Sequence, residues 1–189
     1  MTLHADALRE LSAWAAPTST QDGLRLDYLA HLRQQPDGLL RTCVPDHVTA
    51  SLLVMTPEAD RVLLTLHARS GRWFQLGGHT EPGDESLVAA ALREGHEESG
   101  LDALDLVTGG PLLLDRHEVS CKTPGARRHL DVQYLAVTAG SGVPVVSEES
   151  LDVGWFTVDA LPDVDRSVLD LVAEGRVRLG RATRSSSAG

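Results

Sequence analysis

Two cysteines, one lysine and no long apolar run mark this chain by what it lacks. Cys43 and Cys121 stand far apart with no CxxC pairing, which excludes a disulfide scaffold and a thiolate zinc site and leaves two reduced thiols. No window approaches the ~18 apolar residues that span a bilayer, and the start MTLHADALRELSAWAAP lacks a basic segment followed by an apolar one. A cytoplasmic protein is expected. Lys122 is the lone lysine, and 17 basic residues face 27 acidic ones for a net charge of −10. That balance excludes electrostatic binding to duplex nucleic acid or to an anionic membrane, both of which demand a basic patch. A small phosphate-bearing partner would therefore be held through a metal ion. No internal repeat or low-complexity domain is present, and 189 residues with 42% hydrophobic content suffice for one substantial core.

What is present begins with two helical patterns, residues 3–15 with Leu8, Leu11 and Trp14, and residues 23–35 with Leu26, Leu29 and Leu32, divided by PTSTQDG. This pair, assigned to a 1–40 extension, has three uses open to it: covering the sheet, a homodimer contact, or part of a substrate pocket. Covering is the plainest. From His47 the pattern turns to strand: HVTASLLVMT and RVLLTLHA form a hairpin across PEAD, and RWFQL leads into a glycine-rich turn. LDLVTGGPLLLDRHEV, HLDVQYLAVTA and LDVGWFTV read as three further strands, DRSVLDLVAEGRVRL as a closing helix, and residues 181–189 as a disordered polar tail. Strands with helices between and after them predict the α/β class, a mixed β-sheet in an α/β/α sandwich, with the main domain over 41–180.

The chemistry concentrates in GGHTEPGDESLVAAALREGHEESGL, residues 77–101. Glu94, Glu97 and Glu98 have the i, i+3, i+4 spacing that stacks side chains on one helical face. Carboxylates held ~5–6 Å apart repel by as much as a few kcal/mol per close pair unless a cation or protons intervene. Hard oxygen donors on a rigid helix favour Mg²⁺, with Mn²⁺ as the alternative. A solvated charge run would show the same glutamates. The preceding segment separates the two readings: Gly77, Gly78 and Gly83 bracket an acidic turn where backbone approaches a ligand closely, and Asp84 or Ser86 can cap the helix.

These residues resemble the Nudix box: Gly, five residues, Glu, seven residues, Arg-Glu-apolar-x-Glu-Glu-x-Gly-apolar. Arg93, Glu94, Glu97, Glu98, Gly100 and Leu101 match directly. Glu85 stands seven residues before Arg93, so Gly78 lies one position too far upstream and the loop is one residue longer. Asp84 either replaces or assists Glu85. Gly95 takes the place of the apolar residue, at a cost of about 1 kcal/mol relative to Ala, and Leu76 stands where many members have Pro. SEESLDVGWFTVDALP resembles the usual family ending, so the likeness covers about residues 45–165.

The resemblance implies the Nudix fold and a hydrolase that cleaves the pyrophosphate bridge of a nucleoside diphosphate linked to another moiety: a nucleotide sugar, a dinucleotide or a nucleoside triphosphate. It implies metal ligation by Glu94, Glu97 and Glu98 with the Gly78 carbonyl, and an orienting role for Arg93 toward a box glutamate. The catalytic set is then Glu94, Glu97 and Arg93 with a general base from the box or a distant loop, where Glu149 is preferred over Glu148. Substrate contacts are expected from His79, beside the glycines; from Arg72, with Arg69 as a second arginine; from Trp73 or Phe74, which alternate faces; and from His129, on one strand face with Asp131. Trp155 and Phe156 pose the same alternation with the core favoured, and His96 is expected to be exposed. Two other readings stay open. A non-catalytic sensor would bind a nucleotide sugar on the same scaffold, although such proteins typically lose box glutamates or carry a DNA-binding appendage. An isopentenyl-diphosphate-isomerase-like enzyme would need a Cys beside a histidine-held metal, and no such cysteine is evident in the sequence.

Overall fold

Thr2 and Thr18 start the first two helices of this computed structural model, which describes residues 1–68, 70–118, 124–138, 142–146 and 150–186, with backbone alone for 183–186. Each threonine Oγ1 accepts a backbone N–H at 3.2 Å, from Ala5 and Gln21 respectively, and so satisfies one of the donors that a helix start leaves without a partner. The elements run α1 (Leu3–Ala13), α2 (Ser19–Gln34), β1 (Asp46–Met55), β2 (Arg61–His67), β3 (Trp73–Phe74), β4 (Leu76–His79), α3 (Leu87–Ser99), β5 (Asp105–Leu106), β6 (Leu113–Glu118), β7 (Arg128–Val137), β8 (Ser150–Thr157) and α4 (Arg166–Ser186). The strands form one hydrogen-bonded sheet in the order β3-β2-β1-β7-β5, with β4 on β1, β6 on β7 and β8 on β2. The pairs β1–β2, β2–β3, β2–β8, β5–β7 and β6–β7 run antiparallel, and an isolated parallel bridge joins Trp73 to Val164 outside the strands.

Two compact units divide the chain: Met1–Ser51, Gly77–Leu92 and Gly109–Tyr134 form one, and Leu52–Leu76, Arg93–Thr108 and Leu135–Gly189 the other. In the first, helix α2 covers strand β6 and α1 packs on α2. The Gln21 side chain acts as a strand partner there: its Nε2 donates to the Leu114 carbonyl at 2.9 Å and its Oε1 accepts from the Leu114 N–H at 2.7 Å. Tyr28 donates to the Asp115 carbonyl at 2.6 Å, so the helix supplies both apolar cover and hydrogen bonds to backbone that would otherwise be an open edge. Leu11, Trp14, Leu29 and Leu32 are buried as expected, each worth roughly 1.5–3 kcal/mol of apolar burial. Leu26 is not: it is 52% exposed, and Tyr28 takes the inward place.

Tyr134 on β7 ties α1 to the same unit by donating to Glu10 Oε2 at 2.6 Å. Burial raises the Glu10 pKa above 4.5 despite that hydrogen bond, so the folded chain holds the Glu10 proton more tightly than the unfolded chain does. Stability from this group is therefore complete below pH 4.5 and is lost as pH rises through the raised folded value. Denaturation midpoints of wild type and Glu10→Gln across pH should show wild type falling behind as pH climbs from 4.5 toward neutrality. Parallel curves would contradict this.

In the second unit, β2 pairs with β8 from Arg61↔Thr157 to His67↔Ser150, with a register shift at Leu66/His67. The hairpin expected across PEAD forms, with Val54 opposite Leu63 and Met55 opposite Val62. Helix α4 lies close on these strands at Gly175, where a Cβ would come within 2.8 Å of Leu53 Cδ2 and 2.9 Å of Met55 Sδ. It continues to Ser186, six residues into the segment read as tail.

Two strand readings are corrected. LDLVTGGPLLLDRHEV makes two strands, because Gly109 and Gly110 take φ of 116° and 72° and Pro111 has no N–H to donate to a ladder. RWFQL likewise divides, into β3 and the start of β4.

Candidate active site

Helix α3 carries the glutamates, and its ends explain the residues around them. Ser86 caps it, Oγ accepting from the Ala89 N–H at 3.0 Å, while Asp84 closes the preceding turn by accepting from the Glu81 N–H at 2.7 Å. Of the two caps considered, Ser86 is the one used. At the far end Gly100 takes φ +65° and its N–H returns to the His96 carbonyl at 2.8 Å, the left-handed stop that favours glycine, and Leu101 is buried just beyond. His96 is half-buried instead of exposed. Its Nδ1 lies 2.6 Å from the Leu101 carbonyl, so it closes the same helix end.

Gly95 has a packing reason for replacing the apolar residue. A Cβ there would lie 2.6 Å from Leu52 Cδ2 and 3.1 Å from Leu104 Cδ1, so the apolar volume comes from the two leucines instead. The helix gives up propensity at this position and gains close approach.

Arg93 holds the acidic face together. Its Nη1 donates to Glu94 Oε1 at 3.1 Å and to Glu97 Oε2 at 3.0 Å. The Arg93 and Glu94 side chains are 21% and 16% exposed against 59% for Glu97, so one carboxylate is sheltered and the other reaches solvent. One guanidinium across two carboxylates offsets part of their repulsion and fixes their rotamers. Glu98 follows on the same helix, half-buried. Three carboxylates beside one guanidinium leave net negative charge, and carboxylate oxygens are donors suited to a hard divalent ion.

The other expected residues fall into separate places. Arg72 pairs with Asp165 at 2.7 Å, and Trp73 meets Phe156 edge to face with centroids 4.7 Å apart, so both make contacts within their own unit. The Arg61 guanidinium stands 5.7 Å from the Trp155 ring. Gly78 is half-buried on β4, and Glu85 is exposed. Glu148, Glu149 and Arg69 lie outside the described residues. His79 and His129 come together, joined by His47, which the sequence reading did not single out. The register of their strands brings them together. Thr49 and Ser51 each donate to the buried Asp131 Oδ1 at 2.8 Å, and His47 and His129 sit two residues before that contact on the same strand faces.

The NUDIX domain model matches residues 45–174. The chain belongs to the NUDIX family. Among solved structures, a NUDIX-family hydrolase from Clostridium perfringens is similar at 23% identity and TM-score 0.57, over 72% of this chain and 97% of that one. A MutT NUDIX hydrolase from Burkholderia pseudomallei follows at 25% identity and TM-score 0.52, over 68% and 97%. The NUDIX domain of Shewanella oneidensis NrtR, solved with ADP ribose, matches at 21% identity and TM-score 0.55, over 82% and 97%. Arg93, Glu94, Glu97, Glu98, Gly100 and Leu101 all lie within the matched NUDIX domain of this chain. No helix among its described residues is long and apolar enough to cross a membrane.

Proposed function

We propose that this NUDIX protein hydrolyses the pyrophosphate bridge of a nucleoside diphosphate linked to a further group, with Mg²⁺ as its cofactor. The observation that carries the reading is the Arg93 clamp, which presents Glu94 and Glu97 as an ordered pair on the box helix. Glu94, Glu97 and Glu98 would hold the ion, which when bound polarises the phosphoryl oxygens and eases deprotonation of water. Water attacks one phosphorus, the bridging P–O bond breaks, and the pyrophosphate leaves as two phosphate-bearing products. The proton lost by the water goes to a carboxylate, either a box glutamate or Glu149. Arg93 acts through the glutamates it orients, and its replacement by Ala should lower kcat/KM by about 10- to 100-fold, the usual effect of losing a residue that positions metal ligands.

Incubating the purified chain and Mg²⁺ with nucleotide sugars, dinucleotides and nucleoside triphosphates tests this directly. Release of a nucleoside monophosphate or of phosphate from at least one of them is expected. A flat panel, with a nucleotide sugar still bound, would replace the hydrolase by the sensor.

A further inference from the structure

Strands β1, β4 and β7 each deliver one histidine to a single point. The ring centroids of His47, His79 and His129 form a near-equilateral triangle with sides of 5.1, 4.9 and 5.0 Å, and each offers a ring nitrogen within 4.8 Å of the others. We propose that these three imidazoles form a transition-metal site, chemically separate from the box glutamates, that takes Zn²⁺ in preference to Mg²⁺.

Three features of the triangle support a metal over a merely packed cluster. First, the Nδ1 of His47 lies 3.1 Å from the Cys43 carbonyl, which can only accept, so Nδ1 carries the proton and the Nε2 lone pair is turned inward. That bond to a backbone carbonyl is the usual way a ligating histidine is oriented. Second, His47 Nε2 and His79 Nε2 share a 3.1 Å hydrogen bond that already holds the two nitrogens near ligand spacing. Two nitrogens each ~2.0–2.1 Å from a shared tetrahedral zinc are separated by roughly 3.3 Å, so the pair needs only a small adjustment to accept the ion. Third, the Nε2 of His129 is buried with no hydrogen-bond partner, a cost of about 1–3 kcal/mol that a bound cation removes.

Nitrogen donors select Zn²⁺ and its transition-metal neighbours, whereas Mg²⁺ prefers oxygen. Cys43 enters through its backbone carbonyl, which holds His47 Nδ1.

Metal content separates this site from the box. The chain, stripped with chelator, is loaded with Zn²⁺ in excess Mg²⁺, desalted, and analysed for bound metal. Wild type and Glu97→Gln should each retain about one zinc per chain, and His129→Ala and His47→Gln less than about a tenth of that. Co²⁺ in the wild-type protein should give the intense visible bands of a low-coordinate nitrogen site, a readout that does not depend on any histidine variant folding. Zinc retained equally by folded His129→Ala, zinc lost in Glu97→Gln, or a weak octahedral Co²⁺ spectrum would each overturn the proposal. None of these readouts requires hydrolysis, so a silent substrate panel leaves the zinc result standing on its own.

Discussion

Glu97→Gln and Glu98→Gln, made separately, are expected to reduce kcat/KM on the best substrate by on the order of 10³ or more, equivalent to about 4 kcal/mol of transition-state stabilisation. Glutamine keeps the shape and one carbonyl oxygen but removes the negative charge, which is the property a hard divalent ion selects. The loss should fall on catalysis and not on folding. Glu97 projects its carboxylate largely into solvent, and its partner Arg93 retains Glu94 after the change. Removing one of three like charges on a helical face relieves repulsion, so the thermal midpoint without metal should hold or rise slightly. Steady-state kinetics in Mg²⁺ beside thermal melts without metal give both numbers. Activity within tenfold of wild type in both variants would remove these glutamates from the metal site.

The largest effect on stability is expected at Gly77. Its φ of +152° is a conformation that side-chain-bearing residues rarely adopt, and a Cβ there would lie 2.6 Å from Ser51 Cα and 2.7 Å from Ser51 Cβ. Those are atoms of a buried strand, so they cannot move aside as a side-chain tip would. Gly77→Ala combines backbone strain with a steric clash and should cost upward of about 3 kcal/mol in urea denaturation. Gly83→Ala is the control in the same loop. Gly83 is exposed, and nothing lies within 4 Å of its Cβ position, so the change should be close to neutral. Equal costs at both positions would mean that the loop as a whole, and not the close approach to Ser51, requires glycine.

The box helix was legible because its instructions are local. The i, i+3, i+4 glutamates and a helix cap at Asp84 or Ser86 lie within a few residues, where helical geometry decides who meets whom, and the structure uses Ser86. Alternation and β-branching likewise marked β1, β2, β7 and β8, and the sheet forms from them. The strand LDLVTGGPLLLDRHEV was overextended because apolar content continues on both sides of Gly109-Gly110-Pro111, while backbone dihedrals and the missing N–H end the strand there. Leu26 fits a helical stripe in sequence yet stays exposed, because Gln21 and Tyr28 set which face of α2 meets β6.

His47, His79 and His129 belong to the opposite case. No spacing in the chain relates them, since each comes from a different strand and their approach depends on which strands are neighbours and in what register. Gly95 is similar: in sequence it is a weakness in the helix, and only the positions of Leu52 and Leu104 show it to be a fit. The sequence by itself determined the family, the sheet-forming segments and the acidic helix face, because those depend on periodicity and on contacts a few residues apart. Tertiary structure alone decided where the histidines converge and which glycines are obligatory, because both follow from close approach between distant segments.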